Sequence, residues 1–547
     1  MQRYLQHLCE GADRRTKSFL QAQVLDPNSL QYGGIRGDIW EAKPTVYALA
    51  TALAAYLNPG CSHFESGELL RAMKLAAAFV ERTQRDDGSF DYPSCNFHSA
   101  PDTSFCFKRL IAGYRLMTGA GAARPELEEL RDCFRRILRR ALPAIRDGGF
   151  HTPNHRWAIA AALLQGANLF AQEEAFAESL RARAGQYLAE GIDCDEDGEY
   201  AERSAGNYNA VVNNAMLALW QETGNDFYLD CVRRNLTMML DYIDPDGYVF
   251  TQNSTRQDLG RKDRPDLYFY QYLAVCSHEP NEAFDAAAHE IIRSNQARGD
   301  LAPDCLHILM NHPEMAAHVF SGCGFPAEYR RFFPRSGVLR VARPAYSYTV
   351  LRGKSGFLYV KRGALTLCVR LGESLCETRN FVPAQMDVQG NACTLSGEAQ
   401  GWYYQPFDEP PATADWWEMD QSARKKKIAC TLHTRVRIVE REDGLDLALE
   451  AKGLDRLPLR LELWLPQGVK LSHEAFAAAP PAGAELLLRS GELEIRQGAD
   501  VLRVGPGFGE HAFGGHYSGE ERNLQGVTVY CNAYTPAERS FSIRVGT

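Results

Sequence analysis

The sequence predicts two fold classes in series. The first is an N-terminal α/α helical toroid, an incomplete or six-hairpin barrel, and the second is a large antiparallel β-sandwich. Three observations predict this. Apolar residues recur at helical spacing through the first ~330 residues. After Pro334 the apolar segments become short and alternating. With 547 residues, 45% of them hydrophobic and 24% charged, the chain is long enough for several domains with ordinary cores.

Ala- and Leu-rich stretches predict helices at 43–56, 69–84, 103–117, 127–142, 157–170, 175–190, 210–222 and 228–242, with further helical material at 265–275 and 282–294. Turn residues separate them: Asn58-Pro59-Gly60, Asp86-Asp87-Gly88, Asp147-Gly148-Gly149, Asp195-Glu196-Asp197-Gly198 and Asp244-Pro245-Asp246-Gly247. About eleven or twelve helices with alternating loops suit antiparallel helical hairpins. The absence of a strict short repeat argues against a regular solenoid. Asp87-Gly88, Asp197-Gly198 and Asp246-Gly247 each stand just before an aromatic or apolar residue. Loops at one mouth of a barrel and plain turn chemistry explain this equally well.

Strands are expected at 338–341, 346–351, 357–361, 365–370, 428–439, 445–449, 459–465, 485–488, 493–496, 527–530 and 540–545. Many short strands between Gly, Pro, Asn and Asp argue for a sandwich. The boundary is expected within 325–337, giving a toroid over 1–330 and a sandwich over 331–547.

Charge and cysteine usage narrow the function classes. The formal net charge is −9, and Arg424-Lys425-Lys426-Lys427 is the one short basic run. Nucleic acid is therefore not the expected partner, while a local cationic cleft for an acidic polymer stays open. The N-terminus has no apolar run of the secretory kind, and no stretch reaches the ~20 apolar residues of a membrane span. The 15 cysteines are scattered, with no C-x-x-C pair. The expectation is a cytoplasmic protein of bacterial origin with reduced thiols and no membrane partner.

Three segments place polar side chains just before apolar helical runs: Asn96-Phe97-His98-Ser99-Ala100-Pro101-Asp102-Thr103, His151-Thr152-Pro153-Asn154-His155-Arg156-Trp157, and the stretch from Gly198 to Asn209. At helix N-terminal ends, backbone donors favour anions. Asn154-His155-Arg156-Trp157 and the later Gly198 to Tyr208 segment, with Glu202-Arg203-Ser204 inside it, resemble two motifs of the heparinase II/III-like polysaccharide lyase superfamily, which includes heparinase III, heparinase II and exolytic oligoalginate lyases. The second motif in that family reads Gly-x-x-x-Glu-x-Ser-x-x-Tyr. Here one extra residue separates Ser204 from Tyr208. Tyr208 follows Asn154 by 54 positions, as the family pattern has it, and the helix-then-sandwich order matches over nearly the whole chain.

The resemblance implies β-elimination from a uronic-acid glycan, leaving an unsaturated uronate. It implies Tyr208 as acid and also as base, Asn154 as the group neutralising the substrate carboxylate, and His155 as base or second neutraliser. The residue types suit that chemistry, because C5 proton abstraction beside a carboxylate needs stabilised enolate-like charge and a positioned proton carrier. Arg256 is expected as an anion clamp, or else in a salt bridge with Asp258 or a neighbouring acid. Asn96, His98, Asp102 and Arg203 are expected along the sugar cleft, with Asp102 alternatively a helix cap. Trp157, Tyr200 and Trp40 are candidates for stacking on sugars, or else core aromatics.

The chain departs from several relatives in one respect. Its 357–381 stretch, where a sandwich-domain His would stand, holds Tyr359, Arg370, Glu377, Arg379 and Asn380 but no His. His433, His511 and His516 come later. Proton abstraction then falls to Tyr208 alone or to His155. No cofactor is required by this chemistry, and no His/Asp cluster indicates a structural metal. The expected partner is an acidic glycan or oligosaccharide. An imported oligosaccharide cut from its end fits a chain without a leader. Two other readings stand beside this one: a glycoside hydrolase using Asp102, Glu199 or Glu202, and a noncatalytic glycan-binding protein.

Overall fold

The computed structural model describes residues 3–513 and 520–546, so His516 lies outside the described residues. The chain divides into two compact units, Met1–Ile243 with Gly247–Phe325, and Asp244–Asp246 with Pro326–Thr547.

Among its described residues the first unit holds thirteen α-helices: α1 Arg3–Ala22, α2 Lys43–Leu57, α3 Gly67–Thr83, α4 Ala100–Thr118, α5 Glu128–Asp147, α6 Pro153–Leu169, α7 Glu174–Leu188, α8 Tyr208–Thr223, α9 Asp226–Tyr242, α10 Phe269–His278, α11 Glu282–Arg298, α12 Leu306–Asn311 and α13 Pro313–Ala316. They alternate between two layers. In the inner layer α2 packs on α4, α4 on α6, and α6 on α8. The α8–α10 contact is carried by Gln271, whose Nε2 donates to the Ala210 carbonyl at 2.9 Å and to Asn214 Oδ1 at 2.8 Å. Outside, α3 packs on α5, α5 on α7, and α9 on α11.

Burial follows the layers. Inner α2 buries eleven of its fifteen residues, whereas outer α7 buries only Ala177, Leu180 and Ala184. A helix apolar all round belongs inside, and one with a narrow stripe belongs at the surface. The first helix packs on both α2 and α11, so the row of hairpins returns on itself. The sequence reading has no helix there, because its buried stripe of Tyr4, Leu8, Cys9, Ala12, Thr16 and Phe19 is narrow and set among charges.

Local chemistry moves several boundaries. The expected start of α4 at 103 becomes Ala100, because Ser99 is the cap: its Oγ accepts from the Asp102 N–H at 3.2 Å and donates to Asp102 Oδ2 at 2.7 Å. Asp102 is therefore not the cap but the cap's partner. The fifth helix runs past Pro143 to Asp147, since the buried residues Leu138, Ala141, Leu142 and Ile145 outweigh the one hydrogen bond a proline removes. A small hairpin, Phe90–Tyr92 with Asn96–Ser99, leads into α4.

Among the described residues of the second unit two nine-stranded sheets face each other. Their pairings are antiparallel except for Glu485–Leu487 beside Val527–Tyr534. Alternate residues fill the space between. Val350, Leu358, Leu367, Val369 and Leu463 come from one sheet, and Val436, Leu447, Ile495, Val504 and Ile543 from the other. No helix among the described residues is long and apolar enough to cross a membrane.

Candidate active site

The site forms in the first unit, where the loops before α4, α6 and α8 bring their polar residues together. The Asp-Gly turns shape those loops. Gly88 and Gly198 have φ of +88° to +89°, and a Cβ there would meet the Arg140 and Arg234 carbonyl oxygens at 1.8 and 2.3 Å. Only glycine fits both positions. The turn acids are committed locally. Asp87 Oδ1 accepts from Ser89 N and Oγ, and Asp195 Oδ1 accepts from the N–H groups of Asp197 and Glu199.

Ser204 and Asp258 fix the start of α8. Ser204 Oγ accepts from the Tyr208 N–H at 3.0 Å and donates to Asp258 Oδ1 at 2.8 Å. Asp258 Oδ2 accepts from Gly206 N–H at 2.9 Å. A Cβ on Gly206 would come within 2.9 Å of that oxygen, so the extra residue between Ser204 and Tyr208 sits in a turn wrapped closely on a carboxylate. Tyr208 is thereby set at the first position of α8, partly exposed, with the Arg256 guanidinium 5.0 Å from its ring centroid.

Thr152 stands before α6 and Pro153 opens it, which leaves Asn154 in the first turn rather than at the cap. Asn154 is buried. Its backbone N–H and its Nδ2 both donate to Glu202 Oε2, at 3.2 and 2.7 Å, and Nδ2 also donates to Thr152 Oγ1. Glu202, 4% exposed, faces Arg256 with its other oxygen, Nε to Oε1 being 3.3 Å. Arg256 thus pairs with Glu202, not with Asp258. Burial pushes the Glu202 carboxyl above the usual range, and Asn154 and Arg256 only partly reverse this.

His155 stands beside Asn154, its ring 5.9 Å from that of Phe105 and 6.3 Å from that of His151. Burial lowers it to about 4; Asp102 opposes the shift, and His151, Arg256 and Lys43 add to it. The imidazole is therefore neutral at neutral pH. Lys43 completes the wall: its Nζ is 3.0 Å from Asp102 Oδ1 and lies over the rings of Tyr92 and Phe105. Asn96 Nδ2 donates to Asp102 Oδ2 at 3.1 Å. Burial alone would raise Asp102; Lys43 and the Ser99 and Asn96 hydrogen bonds hold it below its ordinary range instead.

Of the buried polar atoms in this cluster, Asn154 Oδ1 and His155 Nδ1 have no hydrogen-bond partner, whereas Glu202 Oε1 and Arg256 Nε have each other, 3.3 Å apart in an ion pair. Folded proteins satisfy nearly all such atoms, so two on neighbouring residues, beside an ion pair that reaches the Tyr208 ring, mark a place made for something else to bind.

The other expected site residues fall differently. His98 is exposed, at φ +49°, with Nδ1 2.6 Å from Asp87 Oδ2. Arg203, at φ +50°, reaches Asn253 Oδ1 at 3.5 Å. Trp157 and Tyr200 do not present a face to a sugar, because both are fully buried. Trp157 Nε1 donates to Asp193, and the Tyr200 hydroxyl donates to Asn213 within a buried amide network. Trp40 is 47% exposed. The sequence reading passed over Lys43 and Phe105, gave His151 no role of its own, and had Glu202 only within the second motif and as a candidate acid for hydrolysis, not as the partner of Asn154 and Arg256. Lys43 had a local signal: a cation in the first turn of a helix opposes the dipole there, a cost that invites a reason.

No family model matches the chain, and no curated protein sequence matches it. Solved structures resemble it in fold. Paenibacillus xanthan lyase superposes with a TM-score of 0.59 at 10% identity, covering 98% of this chain, which spans 57% of that enzyme's length. Streptomyces coelicolor chondroitin AC lyase, solved with chondroitin sulphate, gives 0.57 at 12%, covering 100% of this chain and 80% of that one. Heparinase III gives 0.59 at 10%, covering 98% and 85%. The chain has the polysaccharide-lyase fold of helical toroid followed by β-sandwich.

Proposed function

We propose that this protein is a glycan lyase that cleaves a uronic-acid-containing polysaccharide or oligosaccharide by β-elimination, with Tyr208 as proton carrier. The observation that carries the reading is the pair of unsatisfied buried atoms on Asn154 and His155, beside a Glu202–Arg256 ion pair whose guanidinium covers the Tyr208 ring. Asn154 uses its amide hydrogens on Glu202 and Thr152, so its free atom is an acceptor. Arg256, whose Nε faces Glu202, and an imidazole N–H are donors. An acceptor set among donors fits a carboxyl group carrying one proton, the neutralised form that makes the neighbouring C–H acidic.

The sequence of events is short. Tyr208, acting as base through its phenolic oxygen, removes the C5 proton, and charge moves onto the neutralised carboxyl, where Asn154, His155 and Arg256 hold it. The electron pair then forms the C4–C5 double bond as the C4–O bond breaks. The departing oxygen takes the proton back from Tyr208. No water is consumed. Neutral His155 fits a hydrogen-bonding role beside the carboxyl. The hydrolase reading needs two carboxylates flanking the bond. Asp102 is instead engaged by Lys43, Ser99 and Asn96, and Glu199, 3% exposed, by Tyr242 and Asn253.

The test is ultraviolet absorbance of a conjugated uronate during incubation with a panel of uronic-acid glycans and oligosaccharides. A rising signal is expected with at least one. New reducing ends without that signal would move the assignment to hydrolysis. Tyr208→Phe is expected to lower kcat by about 10²–10⁴-fold, with circular dichroism unchanged; full activity in that variant would remove Tyr208 from the chemistry.

A further inference from the structure

Inside the helical ring, away from the Tyr208 mouth, lies a cavity of about 340 Å³. Lys108, Gln165 and Asn214 line it from three inner helices. They lie 8, 11 and 6 positions along their helices from Ala100, Asn154 and Tyr208, so at ~1.5 Å per residue the cavity is roughly 9–16 Å deeper than the site above. Its volume suits one small ligand rather than a polymer segment.

The charges on its walls are not all matched. Arg109 meets Asp304 Oδ2 at 3.2 Å and His307 Nε2 at 2.9 Å, and Arg115 meets Glu222 at 2.6 Å. Among the described residues Lys108 makes no hydrogen bond or ion pair. Burial pushes its ammonium down to about 7, so an anion here would restore its charge. Gln165, 6% exposed, also has no partner. Asn214 gives its amide oxygen to Gln271, leaving its N–H groups for the cavity. His307, 2% exposed, leaves Nδ1 without a hydrogen bond. A half-buried cation without a counterion, beside amides with hydrogen-bonding capacity to spare, is a wall that a small anion would complete.

We propose that this cavity binds a small carboxylate-bearing sugar, a monosaccharide uronate, whose carboxylate meets Lys108 and whose hydroxyls meet Gln165 and Asn214. The anion-and-polyol chemistry is drawn from the cavity walls; the choice of a uronate rests on the proposed lyase function. Such a site would let a released or free sugar acid occupy the ring while the mouth works on the chain.

The experiment is calorimetric titration of the full-length protein with D-glucuronate, with glucose and acetate as controls. Binding of glucuronate at least tenfold tighter than either control is expected. Lys108→Met and Gln165→Leu are each expected to weaken it at least fivefold, with thermal midpoints close to the parent. Arg256→Gln is expected to bind glucuronate as the parent does, which separates this cavity from the catalytic mouth, where Arg256 holds the carboxyl. No glucuronate binding, equal binding of acetate or glucose, or unchanged affinity in both cavity variants would overturn the proposal. Because the titration needs no turnover, loss of the lyase reading would appear only in the absorbance assay.

Discussion

Glu202 Oε2 takes two hydrogen bonds from a single residue, Asn154, while Oε1 faces Arg256, which in turn covers the Tyr208 ring. One carboxylate therefore sets which way an amide points and where a cation sits. Glu202→Ala leaves the Asn154 donors unsatisfied, at about 1–3 kcal/mol for each buried group. We expect kcat to fall about 10–100-fold with KM little changed. Glu202→Gln keeps an acceptor and should lose less than about tenfold. Steady-state kinetics on both variants decides this; an alanine variant with full kcat would leave Glu202 a structural acid only. His155 gives a pH signature. Its folded value of about 4 lies below the ordinary 6.5, so as pH falls the unfolded chain takes the proton first. This residue's share of stability is present above pH 6.5 and is lost as pH falls towards 4. Histidine NMR should show two imidazoles still neutral at pH 5, those of His155 and of His307, which burial and Arg109 lower to about 3; one of the two signals should be absent in His155→Gln. A titration near 6.5 for that signal would mean the ring is solvated. At this scale the position of Asn154, His155 and Tyr208 at helix starts was legible, because apolar helical runs begin there. The burial of Trp157 and Tyr200 was not, because an aromatic beside a loop reads the same whether the loop folds over it or away.

Among elements, the strand Leu365–Leu375 carries a buried acid without a cation. Glu373 is 2% exposed, accepts from Thr434 Oγ1 at 3.0 Å, and is raised by burial to about 7. Between its ordinary 4.5 and about 7 the folded chain keeps a proton that the unfolded chain loses, so stability falls as pH rises through that window. Glu373→Gln should therefore raise the thermal midpoint at pH 8 and change it little at pH 4. An equal effect at both pH values would mean the carboxyl is already ionised when folded. The strand itself was visible in the sequence as far as Arg370, where its apolar alternation gives way to Gly372 and Glu373. The strand Ala392–Tyr404 was not visible. Gly397 and Gly401 interrupt it, and its outer residues are polar, so only its pairing with Lys426–Arg441 defines it. Among helices, inner ones announced themselves by continuous apolar content, and α1 stayed hidden because one narrow stripe is all it buries.

Taken as a whole, the molecule carries 15 cysteines, all free, of which Cys95, Cys323 and Cys376 are exposed. Reductant should leave the thermal midpoint unchanged. A thiol reagent should modify these three quickly in the native protein and all fifteen after denaturation; a midpoint that drops with reductant would reveal a disulfide. The order of helical ring and sandwich was legible because hydrophobic periodicity changes from 3.6 to 2 along the chain. Which acid meets which cation depends on ring closure and left no local trace. That closure also sets a clock. Tyr4 donates to the Met315 carbonyl at 3.4 Å, His7 meets Asn295 at 2.7 Å, and Arg15 donates to the Ala302 carbonyl at 2.6 Å. These partners leave the ribosome nearly three hundred residues after α1. At ~5–20 residues per second, the first helix waits roughly 15–60 s with those contacts unmade. For that interval its apolar stripe is open to whatever else the cell holds, and a nascent-chain chaperone has its clearest reason to bind there.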